Sequence, residues 1–100
     1  MGPLDAVASA AHIPLQHLAG LTLVQASHAP SLIDAVAAAG LRILGVEGFE
    51  VVGSDVRPDM DLIADFSTII ELESAAAEAK QFIQLVTRPD LFFELSVANG

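Results

Sequence analysis

One hundred residues, 53% of them hydrophobic and many of those alanine, suffice for one core and one apolar contact surface, and exclude a two-domain protein. Thirteen acidic residues against four basic ones give a net charge of −9, which excludes the basic footprint of a nucleic-acid binder and predicts repulsion from an anionic membrane. The absence of cysteine excludes disulfides, thiolate metal sites and cysteine nucleophiles.

No apolar run approaches the ~20 residues of a membrane span. The start Met1-Gly2-Pro3-Leu4-Asp5 lacks a basic region followed by an apolar one. The expected location is cytoplasmic.

Residues 1–20 read as a helical extension. Leu4, Val7, Ala8 and Ala11 share one helical face, and Asp5 sits early, where the helix dipole favours an acid. Pro14 breaks that helix, and a second short turn runs through Leu18 to Gly20. The pair lacks the basic residues that would meet DNA, so it reads as a packing element.

From Leu21 onward the periodicity changes repeatedly. Leu21–Ala26 reads as a strand. Pro30 and Ser31 open a helix carrying Leu32, Ile33, Val36 and Ala37, and Gly40 ends it. Residues 41–52 and 55–66 read as extended. Thr68–Val86 reads as a helix, with Ile69, Leu72, Ala76, Ala79, Ile83 and Val86 along one stripe, Phe82 beside it and Pro89 as its stop. Residues 91–97 alternate, with Leu91, Phe93, Leu95 and Val97 on one side and Phe92, Glu94 and Ser96 on the other. The expected fold is α+β: a ferredoxin-like βαββαβ two-layer sandwich over 21–98, a single domain with the helical extension in front.

The central hairpin is the most informative segment. Gly53-Ser54 suits a type II′ turn, which sets Val52 against Asp55, Val51 against Val56, Glu50 against Arg57 and Phe49 against Pro58. Continued without interruption, this register sets Leu44 against Ile63, Ile43 against Ala64, Arg42 against Asp65 and Leu41 against Phe66. Glu47 would then face Met60 on the inner side, an acid where the core should be. Gly45 and Gly48 flank it, so a bulge there would rotate Glu47 outward.

Six of the thirteen acids fall within residues 47–65. With Glu50 and Asp65 paired to Arg57 and Arg42, the unpaired set is Asp55, Asp59 and Asp61, beside Leu44, Val46 and Ile63 on the outer face. These six residues form the candidate partner-binding site.

Asp59-Met60-Asp61 resembles the Asp-x-Asp metal motif of sugar-nucleotide transferases, but the chain is too small for such a domain. Two carboxylates on a flat strand also supply too few of the roughly six oxygens a hard cation takes. His12 and His17 are five apart and share no helix face, and no glycine-flanked serine or phosphate-cradling glycine loop is present. No catalytic residue, metal or cofactor is expected.

The function expected from these features is a non-enzymatic interaction domain. Its acidic sheet face would bind itself, as a homodimer or other homo-oligomer, or a basic partner protein, as an inhibitor or immunity-type protein does. The alternative is a small-molecule-sensing regulatory domain with its ligand at a dimer interface. A small enzyme using the Asp cluster ranks below both.

Overall fold

Pro3 at the first helical turn and the Asp5 carboxylate, which accepts from the Gly2 N–H at 3.2 Å, open the first helix of a computed structural model that describes residues 2–86, 88 and 90–99. The elements are α1 (Pro3–Ala10), β1 (Gln16–Leu18), β2 (Leu21–Gln25), α2 (Ala29–Ala38), β3 (Leu41–Val52), β4 (Asp55–Asp65), α3 (Leu72–Leu85) and β5 (Leu91–Asn99). The five strands form one antiparallel sheet in the order β1-β2-β5-β3-β4.

The fold is therefore mixed α+β, and the β-α-β-β-α-β succession runs from β2 to β5. The exact ferredoxin-like arrangement is not confirmed. The last strand lies between the first two strands of that succession, and β4 is an edge. Alternation identifies a strand and a tight turn identifies its hairpin partner. Neither says which strands become neighbours when a helix joins them.

Two elements differ from expectation. The stretch read as a second helical turn is instead β1, paired with β2 as Gln16↔Leu23, His17↔Thr22 and Leu18↔Leu21. Ala19 and Gly20 join them with positive φ of 52° and 78°, the signature of a type I′ hairpin turn. A three-residue strand offers too little alternation to read. α3 begins at Leu72 rather than Thr68, because the Arg42 guanidinium takes up the Ser67 and Ile69 carbonyls at 3.1 and 3.0 Å and holds that segment as a turn. Pro89, the expected stop, lies outside the described residues.

The main hydrophobic cluster lies on one side of the sheet, and Leu23 and Phe49, at 0% and 5% exposure, are buried on the other. Leu32, Ile33 and Val36 of α2, Ala76, Ala79 and Ile83 of α3, and Ala8 of α1 pack with Val24, Ile43, Val46, Leu91, Phe93 and Leu95 of the sheet. Phe93, fully buried, contributes about 1.5–3 kcal/mol by its removal from water. All three helices join this one cluster. α1 packs on α2 and is tied to β1 by His17 Nε2 and Asp5 Oδ1 at 2.8 Å, so it does not serve as a cover for the opposite side.

Candidate functional site on the sheet side away from the helices

The type II′ turn forms as its residues dictate: Gly53 takes a φ of 62° and Ser54 does not take a positive one. The first four pairs of the hairpin are Val52↔Asp55, Val51↔Val56, Glu50↔Arg57 and Phe49↔Pro58. Beyond them the register slips. Glu47 faces Ile63, Val46 faces Ala64 and Gly45 faces Asp65, so Gly48 alone stands against Asp59–Leu62. Ile43, Arg42 and Leu41 consequently do not meet Ala64, Asp65 and Phe66. A second slip, between Ile43 and Gly45, interrupts the pairing of β3 with β5.

Each slip changes which side a residue faces. Val46 turns into the core at 2% exposure, while Glu47 turns away from it. Gly48 is required at the crossing: a Cβ there would lie 2.8 Å from Leu62 Cβ and 3.4 Å from Phe93 Cε1.

The six expected site residues are thereby separated. Ile63 stays on the outer side, 46% exposed. Leu44 is half-buried at the β3–β5 irregularity. Val46 is unavailable to a partner because it packs in the core. Asp55 is at the hairpin tip, 3.6 Å from Arg57. Asp61 is exposed in the bulge, its N–H donating to Asp59 Oδ1 at 3.1 Å. Asp59 is not free: Arg88 donates to it at 3.1 Å and to Glu50 at 3.0 Å. The flanking carboxylates hold the Arg88 guanidinium above its ordinary pKa, the Glu50 hydrogen bond being the largest cause.

The expected ion pairs also rearrange. Glu50 keeps its register with Arg57 but gives its carboxylate to Arg88. Arg42 is engaged by backbone carbonyls, and Asp65 accepts the Ser67 N–H at 2.9 Å. Contact with the Ser67 hydroxyl, and then with its N–H, holds Asp65 below the usual aspartate range.

What the sheet does gather, on its two central strands, is a different set. Glu47 lies directly across from Glu94, and Phe49 directly across from Phe92. Their neighbours Gly48 and Phe93 point the other way, into the core, which places all four on the side without helices. Ile63 adjoins Glu47 from β4, and Gln25 adjoins Phe92 from β2. Glu47, Glu94 and Phe92 are half-buried, and Phe49 is 5% exposed.

The four basic side chains are engaged elsewhere: Arg42 on carbonyls, Arg57 beside Asp55, Lys80 on Asp34 at 2.9 Å and Arg88 on Glu50 and Asp59. Among the described residues, no cation lies within salt-bridge distance of Glu47 or Glu94. Burial, then the negative charge of Glu47 and a hydrogen bond between the two carboxyl groups, hold the Glu94 carboxyl above its ordinary value.

Alternation had already placed Glu94 and Phe92 on the outer side of β5, and the acid in a core position had marked Glu47. The missing information was that β5 pairs with β3, which is what brings the two glutamates together.

An apolar cleft of about 380 Å³ lies elsewhere, between the β2–α2 turn and the end of α3, with Pro30, Ile83, Val86 and Arg88 among its lining. No group of three or more His, Asp or Glu side chains among the described residues is placed to hold a metal ion. No helix is long and apolar enough to cross a membrane among the residues described. No family model matches the sequence, and no curated protein matches it significantly.

Proposed function

We propose that this chain is a non-enzymatic interaction domain that docks a basic partner protein on the β3–β5–β4 side of the sheet that the helices leave bare. The observation supporting this reading is the Glu47–Glu94 pair: two half-buried carboxylates opposed across central strands without a cation of their own. A like-charged cross-strand pair costs roughly 0.2–1 kcal/mol. A cation brought by a partner converts that cost into attraction.

Phe92 and Ile63 supply apolar area beside the charges, the mixture that makes a desolvated anchor point. The charge of −9 steers a basic protein toward the chain before contact. A second copy brings the same two glutamates to the same place and is disfavoured as the occupant. An inhibitor or immunity-type protein that masks a basic partner is one concrete form of this function.

Native mass spectrometry of the protein recovered from the cells that make it tests the reading. The wild type is expected to carry a basic protein at fixed stoichiometry. Glu94→Lys creates an internal pair with Glu47, so it is expected to keep the fold and lose the partner. Glu78→Lys, on exposed helix surface, makes the same change in net charge and is expected to retain it. Retention by both variants, or loss from both, overturns the proposal.

A further inference from the structure

The arm formed by α1 and β1 joins the rest of the chain through a hinge of two residues, Ala19 and Gly20, with φ of 52° and 78°. A type I′ turn needs the left-handed region at both central positions, which is why Asn-Gly, Asp-Gly and Gly-Gly dominate there. Alanine has neither glycine's freedom nor a side chain that bonds the local backbone, so Ala19 holds this conformation at a cost. We propose that the hinge opens and that residues 3–18 exchange between two copies of the chain, giving a twofold arm-swapped dimer.

The arm is tied together internally and moves as a unit. The Ile13 N–H donates to the Ala8 carbonyl at 2.8 Å and the His12 N–H to the Ser9 carbonyl at 3.2 Å, with His12 at a φ of 57°. These are the two bonds of a Schellman ending, and they fix the chain's exit from α1. Asp5 and His17 then join α1 to β1 within the same arm. Opening therefore falls on Ala19 and Gly20.

The fold itself names what refills the vacated surface. The closed arm lies on α2 through α1 and on β2 through β1, with Ala8 1% exposed. A second copy supplies the same segment and remakes those contacts without any new complementarity. The register suits the exchange. Gln16↔Leu23, His17↔Thr22 and Leu18↔Leu21 continue, through an opened hinge, to Ala19 against Gly20 of the second copy. The ladder then runs without a bulge about a twofold axis, and Ala19 takes ordinary extended backbone. A short hinge held in a costly conformation is what invites such swapping.

Charge opposes the exchange little. Asp5 is the one acid among residues 1–20, which contain no lysine or arginine, and it is already bonded to His17 of its own arm. The remade contacts involve α2 and β2 and none of β3, β4 or β5, so their test is independent of the docking reading.

The full chain, held at millimolar concentration in denaturant near its unfolding midpoint and returned to buffer, is sized by chromatography with light scattering. Wild type is expected to give a dimer that persists on dilution, because each arm must leave its neighbour before the dimer separates. Ala19→Gly removes the cost of the closed turn and is expected to lower the dimer fraction by about fivefold. His17→Cys with Thr22→Cys puts the only two thiols of the chain on cross-strand partners, within disulfide reach. Oxidised as a dilute monomer, this variant is stapled shut and is expected to lose the dimer, which returns on reduction. A wild type that stays monomeric overturns the proposal. So does a dimer that separates at once on dilution, one indifferent to Ala19→Gly, or one that the stapled chain forms equally well.

Discussion

Phe92 and Phe93 are neighbours in the chain and belong to opposite sides of the sheet. Phe93 is fully buried among α2, α3 and the apolar strand residues, with no buried polar or charged residue in that core. Phe92 is half-buried in a layer that also holds two opposed glutamates. The helix-covered side is satisfied by the chain's own residues. The other side combines apolar area with two carboxylates that have no cation within salt-bridge distance among the described residues, and it carries the proposed function. The helix-covered side should govern stability, whereas the half-buried positions of the other side, such as Phe92 and Glu94 but not buried Leu23 and Phe49, should tolerate change and even improve with it.

The largest expected effect is on the covered side. Phe93→Ala should cost about 3–5 kcal/mol, read as a fall in the denaturant midpoint or as failure to fold. Gly48→Ala comes next. Its new Cβ would press on Leu62 and Phe93 where the two sides meet, and overpacking of this kind costs about 1–3 kcal/mol. Phe92→Ala should cost about 1–2 kcal/mol in the same measurement, well below Phe93→Ala, because only part of its ring leaves water on folding. Equal costs for the two phenylalanines would erase the distinction between the sides.

Glu94→Gln should have the opposite sign. A carboxyl held above its ordinary value contributes stability that is present at low pH and lost as pH rises through the raised value. The wild type and Glu94→Gln should therefore melt together below about pH 4, where glutamates are protonated. At neutral pH the variant should be more stable by roughly 0.2–1 kcal/mol, or about 1–6 °C in Tm. The Asp5–His17 contact runs the other way. Asp5 is held below its ordinary range, first by the His17 hydrogen bond, so that contribution is present above the usual aspartate range and fades as pH falls through the lowered value. Asp5→Asn should flatten this acid-side slope in a pH series of melts.

The element series from Leu21 onward, the II′ turn and the first four hairpin pairs followed from local chemistry. Apolar period, proline and glycine act over a few residues. The position of Glu94 opposite Glu47 did not follow, because it depends on β5 inserting between β2 and β3, a choice made by packing of the whole sheet. The side taken by Val46 was misplaced for a related reason. Gly45 and Gly48 signalled an irregular strand, but the number of residues each bulge absorbs depends on its partner strands. Arg88 shows the same limit. It lies 38 residues from Glu50 in sequence, and only the folded chain brings it to Glu50 and Asp59.

Exposed apolar residues also occur away from the uncovered side: Ile70 is 86% exposed, and Leu85, at the end of α3, is 74% exposed. They provide the internal comparison for the most direct test, hydroxyl-radical footprinting of the recovered complex against the free chain. Protection of Phe92 and Ile63, with Ile70 and Leu85 labelled as before, is the result expected if the sheet side away from the helices is the docking surface. Protection of Ile70 or Leu85 while Phe92 and Ile63 stay reactive would contradict the account and move the interface to the helical layer.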